Sequence, residues 1–563
     1  MISVDQLKDI LVSHGFLDGP TFDAAVEQAK RSHRSLEEYI VDQGFVDDLK
    51  LGTLIADTYD IPFVNLREKI LDSNIVKKVP EALARHKRLA LYDLRDGKAY
   101  LAVSSPQDSE TINAISRSIG FPVEVALTTD RSIGEALRYY QRGLREEFEE
   151  MLREDGAGTA EKAKDSAIEE IPVIKIVDTI IKYAYQNQAS DIHFEPFDKE
   201  VAVRFRIDGV LQDVVPMAKE VYTLVVARVK VLARLRTDEH FAAQDGKIRI
   251  DVAEEELDVR VSVLPTVYGE KIVMRLLSKK GSRYTLEDLG FSKEDYKKMR
   301  EAIMRPHGMI LSTGPTGSGK TTTLYSILKT LNTREVNITT IEDPVEYLMD
   351  GVNQVQINTQ TNLTFADGLR SILRQDPDIV MVGEIRDDET AAIAVNAALT
   401  GHLVLSTLHT NDAATTLPRL LDMGVEPFLV ASSINVAIGQ RLVRRICKQC
   451  VMSIAFPENQ RQIMSKMLPP NSAIQEEIKK RSRVFQGKGC PLCNGSGFKG
   501  RVGVYEVLTI DDDIKSLIVN KASGDEIKRV ARTKGMTTML EDGAAKVFQG
   551  ITTFDEILRV TQD

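Results

Sequence analysis

Apolar residues recur along this chain in three rhythms. Near the N-terminus they fall at helical spacing in two related stretches, "LKDILVSHGFL" (Leu7–Leu17) and "LEEYIVDQGFV" (Leu36–Val46), offset by 29 residues. Leu7 matches Leu36, Leu11 matches Ile40, Val12 matches Val41, Gly15 matches Gly44 and Phe16 matches Phe45. Each unit reads as an amphipathic helix ended by glycine, followed by a second helix. Two copies make a small helical module. "IPFVNL" and "KAYLAVSS" then read as strands, so a mixed domain is expected over 1–144. Residues 145–170 lose the pattern: Glu, Lys, Ala and Gly dominate, as in a charged helix end and a flexible linker.

Helical spacing returns in "IPVIKIVDTIIKYAY" and gives way to period-two alternation in "DIHFEP", "VAVRFRIDGVL", "GKIRIDV" and "LDVRVSVLPTVYGEKIVMRLL". That pattern predicts an α+β domain with an antiparallel sheet over 171–280. The third rhythm starts near Tyr284. Short strand-type runs there end in glycine or polar residues, and the first leads through a glycine-rich loop into a helix, so a P-loop domain follows. This domain extends over 281–563, with a cysteine-bounded insertion at 447–493 and helices at its C-terminal end.

The first of those runs carries chemistry. In "MILSTGPTGSGKTTTLYSIL", Gly314, Gly319, Lys320 and Thr321 satisfy G-x-x-x-x-G-K-[ST]. The loop Gly314, Pro315, Thr316, Gly317, Ser318, Gly319, Lys320, Thr321 and Thr322 is the expected cradle for a nucleotide triphosphate. Glycines let backbone N–H groups approach the phosphates. Lys320 is placed to reach the β- and γ-phosphates, Thr321 to bind Mg²⁺, and the helix N-terminus favours the same anion. Three more apolar runs end in reactive groups: "NITTIEDPVEY" in Glu342, "DPDIVMVGEIRD" in Glu384 and "TGHLVLSTLHTND" in His409. Glu384 is the expected activator of the attacking water. Glu342 is expected to hold the metal's water or share the base role, and His409 to sense or polarise the γ-phosphate.

The four cysteines fall in two pairs, Cys447/Cys450 and Cys490/Cys493. Two C-x₂-C turns supply a closed tetrahedral thiolate set, the signature of a structural Zn²⁺ site. With no export signal at the N-terminus, a disulfide framework is not expected. The neighbouring "RLVRRICKQC" reads by default as a solvated basic face, with an orienting surface for a membrane partner as the alternative.

Composition narrows the function classes. Of 563 residues, 43% are hydrophobic and 28% charged, as in ordinary globular domains. A net charge of −10 and the absence of tryptophan disfavour a nucleic-acid translocase. No apolar run reaches the length of a membrane span.

Taken together, "GPTGSGKTTTLYSIL", "ITTIEDPVEY", "LRQDPDIVMVGEIRD" and "GHLVLSTLHTNDA" resemble the Walker A, Asp box, Walker B and His box of the secretion-superfamily ATPases. "SDIHFEP" and "RFRIDGVL" resemble that family's preceding domain. The tetracysteine insertion and the N-terminal module make the chain similar to the type IV pilus assembly (extension) ATPases and to the type II secretion ATPases. The shorter pilus retraction ATPases lack both features. The resemblance implies a RecA-like P-loop ATPase domain behind a PAS-like α+β domain, using ATP, Mg²⁺ and Zn²⁺. It implies a cytoplasmic homohexamer, peripheral to the inner membrane through a platform protein and an assembly protein. It also implies arginines of the preceding domain that reach the γ-phosphate; the candidates are Arg204, Arg206, Arg260 and Arg275. In such relatives the N-terminal module carries a twice-repeated Arg-Leu-Gly pattern for cyclic di-GMP. Here those positions read "QLKD" and "SLEE", so a docking role is expected instead.

Overall fold

The computed structural model describes residues 4–31, 35–42, 45–69, 71–105, 109–140, 173–252, 255–277, 284–468 and 472–561. The expected linker, 145–170, lies outside them. The chain divides into two compact units: Met1–Arg142 with Ile446–Ile454 and Phe485–Lys499, and Gly143–Arg445 with Ala455–Val484 and Gly500–Asp563.

In the first unit, helices Val4–Ser13, Gly19–Arg31, Leu36–Asp42 and Asp48–Thr58 realise the internal repeat. Its equivalent positions share one core: Leu11 with Ile40, Leu17 with Val46, and Phe22 with Leu51. The first helix stops at Gly15, whose φ of +72° only glycine adopts freely, and Phe16 N–H closes the turn on Leu11 O at 2.9 Å. A three-stranded sheet follows, with Lys98–Val103 central, antiparallel to Leu89–Arg95 and parallel to Val123–Leu127. "IPFVNL" differs from expectation. It contributes a single bridge, Phe63 to Leu127, and turns at once into the 3-10 helix Leu66–Glu68. Pro62 brings no N–H to a ladder, and the Asn65 side chain accepts from Arg67 N–H, capping the turn.

The second unit begins with a six-stranded antiparallel sheet in the order 210–217, 201–207, 189–196, 269–277, 255–266, 244–252. Helices Val173–Gln186 and Lys219–Leu232 cover it, burying Ile176, Ile180, Val225 and Val229 against Phe194, Phe205 and Met274. Alternation does the sorting. Val201, Val203 and Phe205 face this core, which leaves Arg204 and Arg206 on the opposite face of the same strand.

A seven-stranded sheet carries the phosphate-loop motif. Its order is 352–356, 338–342, 379–382, 403–408, 308–313, 434–446, 498–509. The strands Gly308–Thr313, Ile338–Glu342, Ile379–Val382 and Leu403–Leu408 are buried at every residue. Met309 and Leu311 enter one core cluster and Ile310 the other, as a sheet covered on both faces requires. All four strands run parallel, so Thr313, Glu342, Glu384 and His409 emerge at or just beyond the same edge. Four helices, Asp512–Val519, Gly524–Thr533, Met539–Phe548 and Phe554–Thr561, follow the last strand. Among the described residues no helix is long and apolar enough to cross a membrane.

Candidate functional site

The phosphate loop joins strand Gly308–Thr313 to helix Lys320–Leu331. Gly314, Gly317 and Gly319 have φ of +147°, +80° and +91°. At Gly314 space adds to conformation: a Cβ would meet Gln440 O at 2.6 Å and Ser318 Oγ at 2.7 Å. Lys320 folds back onto its own loop, Nζ donating to Gly314 O at 2.6 Å and Pro315 O at 3.2 Å. Burial pushes its ammonium down to about 8; Arg441 adds to the fall, and Glu384 opposes it. Among the described residues its hydrogen bonds go to carbonyls, and a triphosphate supplies further countercharge to this buried cation. Ser318 Oγ is buried and has no hydrogen-bond partner, a second open valence in the loop. Both observations fit a bound phosphate. Thr321 and Thr322 lie half-buried on the first turn of the helix, where a hydroxyl suits Mg²⁺.

Glu384 stands just beyond strand Ile379–Val382, its side chain 13% exposed. Oε2 lies 3.0 Å from His409 Nε2, and Oε1 accepts from Arg386 Nη2 at 2.7 Å. Its charge opposes the fall in the Lys320 pKa. His409 itself is half exposed. Its loop is anchored to the loop strand by hydroxyls: Thr410 N–H donates to Thr313 Oγ1 at 2.9 Å, and the two threonine hydroxyls are 2.6 Å apart.

Glu342 is different in kind. It is 3% exposed, and its carboxylate accepts from Tyr325 Oη, from Thr340 Oγ1 at 2.7 Å and from Gln354 Nε2 at 3.3 Å. Burial raises its pKa although all three hydrogen bonds oppose that. Tyr325 belongs to the helix that starts at Lys320, so Glu342 ties that helix to strand Ile338–Glu342.

The four arginines separate. Arg204 pairs with Glu195, Arg206 lies 3.6 Å from Asp191, and Arg275 donates to Asp191 at 2.9 Å, all within the six-stranded sheet. Arg260 alone bonds to a nucleotide-motif segment: its Nη2 donates to Val345 O at 2.9 Å, three residues after Glu342.

Sequence reasoning missed Gln440. It sits at 1% exposure on strand Ile434–Ile446, beside the loop strand. Nε2 donates to Ser318 O at 2.7 Å, while Oε1 accepts from Ser312 Oγ at 3.1 Å and Thr323 Oγ1 at 2.9 Å. One amide thus holds the strand, the loop and the helix together. A glutamine inside the apolar run "NVAIGQRL" was the available signal. The adjoining arginines correct the expectation of a solvated basic face. Arg441 is buried at 7% exposure, and Arg444 donates to Glu556 at 2.6 Å with side-chain exposures of 19% and 3%. Arg445 Nε donates to Arg501 O at 3.1 Å. Arg441 is thus buried and Arg444 tied to the last helix, while Arg445 bonds to the neighbouring strand at the surface.

The cysteines meet as the spacing predicts. Their sulfurs all lie within 4.8 Å of one another, with Cys447–Cys490 and Cys450–Cys493 at 3.8 Å and Cys490–Cys493 at 3.7 Å. A tetrahedron of thiolates about 2.3 Å from Zn²⁺ has edges of about 3.8 Å. Backbone N–H groups of Gly489, Cys490 and Gly497 point at Cys450 and Cys493 sulfurs at 3.2–3.3 Å. The Cys447 thiol's hydrogen bond helps hold Cys493 at about 4, and burial pushes Cys450 up to about 11. Four such sulfurs share the thiolate state only around a cation.

The chain matches two family models, type II/IV secretion system protein over residues 166–559 and the MshEN domain over residues 59–147. A type IV pilus assembly ATPase PilB of Myxococcus xanthus is 39% identical over 98% of this chain and 98% of its own. A type II secretion system protein E of Pseudomonas aeruginosa is 48% identical over 70% of this chain and 76% of its own. Among solved structures, the Legionella pneumophila ATPase DotB superposes with a TM-score of 0.50 at 21% identity, covering 68% of this chain and 95% of that one, a likeness of fold.

Proposed function

The chain belongs to the type II/IV secretion system protein family, and from that membership we propose that it hydrolyses ATP to power type IV pilus assembly. The observation that carries this reading is the end-to-end alignment with a pilus assembly ATPase, on a chain whose loop, Glu384 and His409 form one site. The motor is a homohexamer on the cytoplasmic side of the inner membrane, bound there through a platform protein and an assembly protein. Gly314–Thr322 hold the triphosphate, and Lys320 gains further countercharge. Thr321 would hold Mg²⁺, which would supply positive charge against the triphosphate. Glu384 takes the proton of the attacking water, with His409 and Arg386 fixing its two oxygens. Glu342 positions the helix behind Lys320. Arg260 links the preceding domain to the segment after Glu342, so movement of that domain is felt at the site. Cys447, Cys450, Cys490 and Cys493 hold a structural Zn²⁺. The N-terminal module docks to a partner, a reading supported by the absence of arginine and glycine from "QLKD" and "SLEE".

Glu384→Gln keeps the shape and loses the base. Turnover falls by roughly 10²–10⁴-fold while ATP affinity stays within threefold; turnover near wild type removes Glu384 from this role. A second reading, type II secretion, is favoured by the 48% identity to a secretion protein E. Deletion in the host separates the two: loss of surface pili with normal exoprotein export supports assembly, and the converse supports secretion.

A further inference from the structure

The two C-x₂-C turns do more than complete a metal tetrahedron. Each carries one side chain toward the N-terminal part of the chain, and both occupy the third position of their turn: Gln449 in "CKQC" and Leu492 in "CPLC". Gln449 is buried at 8% exposure, unusual for a glutamine on a metal-binding knuckle. Its Oε1 accepts from Leu71 N–H at 3.1 Å, and its Nε2 donates to Leu66 O at 3.3 Å. One amide therefore satisfies an N–H and a C=O of the segment that leaves the 3-10 helix Leu66–Glu68. Leu492 packs into the core built from Val64, Leu71, Leu101 and Tyr140. The cysteine segments and residues 1–142 form one compact unit, although more than 300 residues of sequence separate Leu71 from Gln449.

We propose that the four-cysteine knuckle is an intramolecular docking surface for the chain's own N-terminal α/β domain, and that the metal sets its shape. The argument is geometric. In a C-x₂-C turn the two thiolates point inward at the ion, which fixes the backbone between them and hence where the third residue projects. With the ion bound, Gln449 and Leu492 project as a polar and an apolar anchor at a fixed separation. Without it, four sulfurs within 4.8 Å of one another have no common partner, and the turns are free to part. The anchors then lose their register on Leu66, Leu71 and the Leu492 socket. Metal occupancy thus decides whether the N-terminal domain is held. This inference does not rest on ATP hydrolysis, and its test reads no activity.

Amide exchange of the full-length protein tests it. The Leu71 N–H has Gln449 as its acceptor, so peptides spanning 66–72 report the contact directly. Three samples are compared: the zinc-loaded chain, the chain stripped by a high-affinity zinc chelator, and Gln449→Ala/Leu492→Ala, which retains every cysteine. We expect one zinc per chain in the first and third, and exchange at Leu71 faster by about tenfold or more in the second and third. ATP affinity serves as the folding control and stays within threefold in all three. Protection of Leu71 that survives chelation overturns the metal's part. Protection that survives the double substitution overturns the anchors. Absence of zinc from the chain as purified overturns the proposal outright.

Discussion

Replacing Gln440 by leucine removes one amide and strands three buried groups at once. The perturbation is nearly isosteric, so it creates little cavity; its cost lies in hydrogen bonding. Ser312, Ser318 and Thr323 are 0%, 4% and 1% exposed, so no water replaces the lost partner. A buried polar group left unsatisfied costs about 1–3 kcal/mol. The two hydroxyls can turn: Thr323 Oγ1 has the carbonyl one helical turn back, Gly319 O, within reach of rotation. The Ser318 carbonyl cannot turn without moving the loop. Counting it in full and the hydroxyls in part gives about 2–4 kcal/mol. That cost appears in one of two places. If the loop keeps its shape, the urea midpoint of the nucleotide-binding domain falls. If the loop relaxes to find water, stability is spared and ATP affinity falls, by roughly 30- to 1,000-fold for the whole amount. Both are measured on the same protein, by denaturant unfolding and by titration with a fluorescent ATP analogue, and their losses are summed. A sum below about 1 kcal/mol refutes the idea that this amide holds the loop.

The remaining predictions concern single groups. Burial pushes Lys320 down to about 8 from the ordinary lysine value of 10.5, so its acylation by an amine-reactive probe at pH 8 outpaces that of surface lysines, and ATP suppresses it. Because the folded chain binds fewer protons there than the unfolded chain between about pH 8 and 10.5, stability from this group rises with pH across that window; a flat profile contradicts the burial argument. Glu342→Gln retains more than a tenth of wild-type turnover, since the Glu342 carboxylate is enclosed by Tyr325, Thr340 and Gln354 and the amide keeps their shape, whereas Tyr325→Phe lowers the melting temperature. Arg260→Ala cuts turnover about tenfold with little change in melting temperature, while Arg204→Ala destabilises the six-stranded sheet by exposing the buried Glu195 to loss of a partner; equal thermal losses in both would show that Arg260 is merely structural.

Much of this protein is written in local order. The loop Gly314–Thr321 was legible because phosphate contact demands glycine, lysine and threonine at fixed intervals, and the strands before Glu342, Glu384 and His409 because short runs rich in apolar and β-branched residues each end in a polar or acidic group. The 29-residue repeat announced Leu11 and Ile40 as equivalent positions, which share one core, and the cysteine spacing announced a tetrahedron. Periodicity alone could not tell that "IPFVNL" lacks a ladder partner, since pairing depends on what lies alongside.

What only the tertiary structure decided is which charges and amides face each other across the chain. Glu342 and Glu384 look alike in sequence, each acidic at a strand end, yet one is enclosed by Tyr325, Thr340 and Gln354 and the other opens beside Lys320 and His409. Arg444 of "RLVRRI" reads as solvated until the buried Glu556 of the last helix pairs with it. Gln440 and Gln449 acquire their roles from partners 117–128 and 378–383 residues away. Backbone rules act over a few residues and so leave a periodic mark; desolvation and hydrogen-bond pairing act through space and leave none.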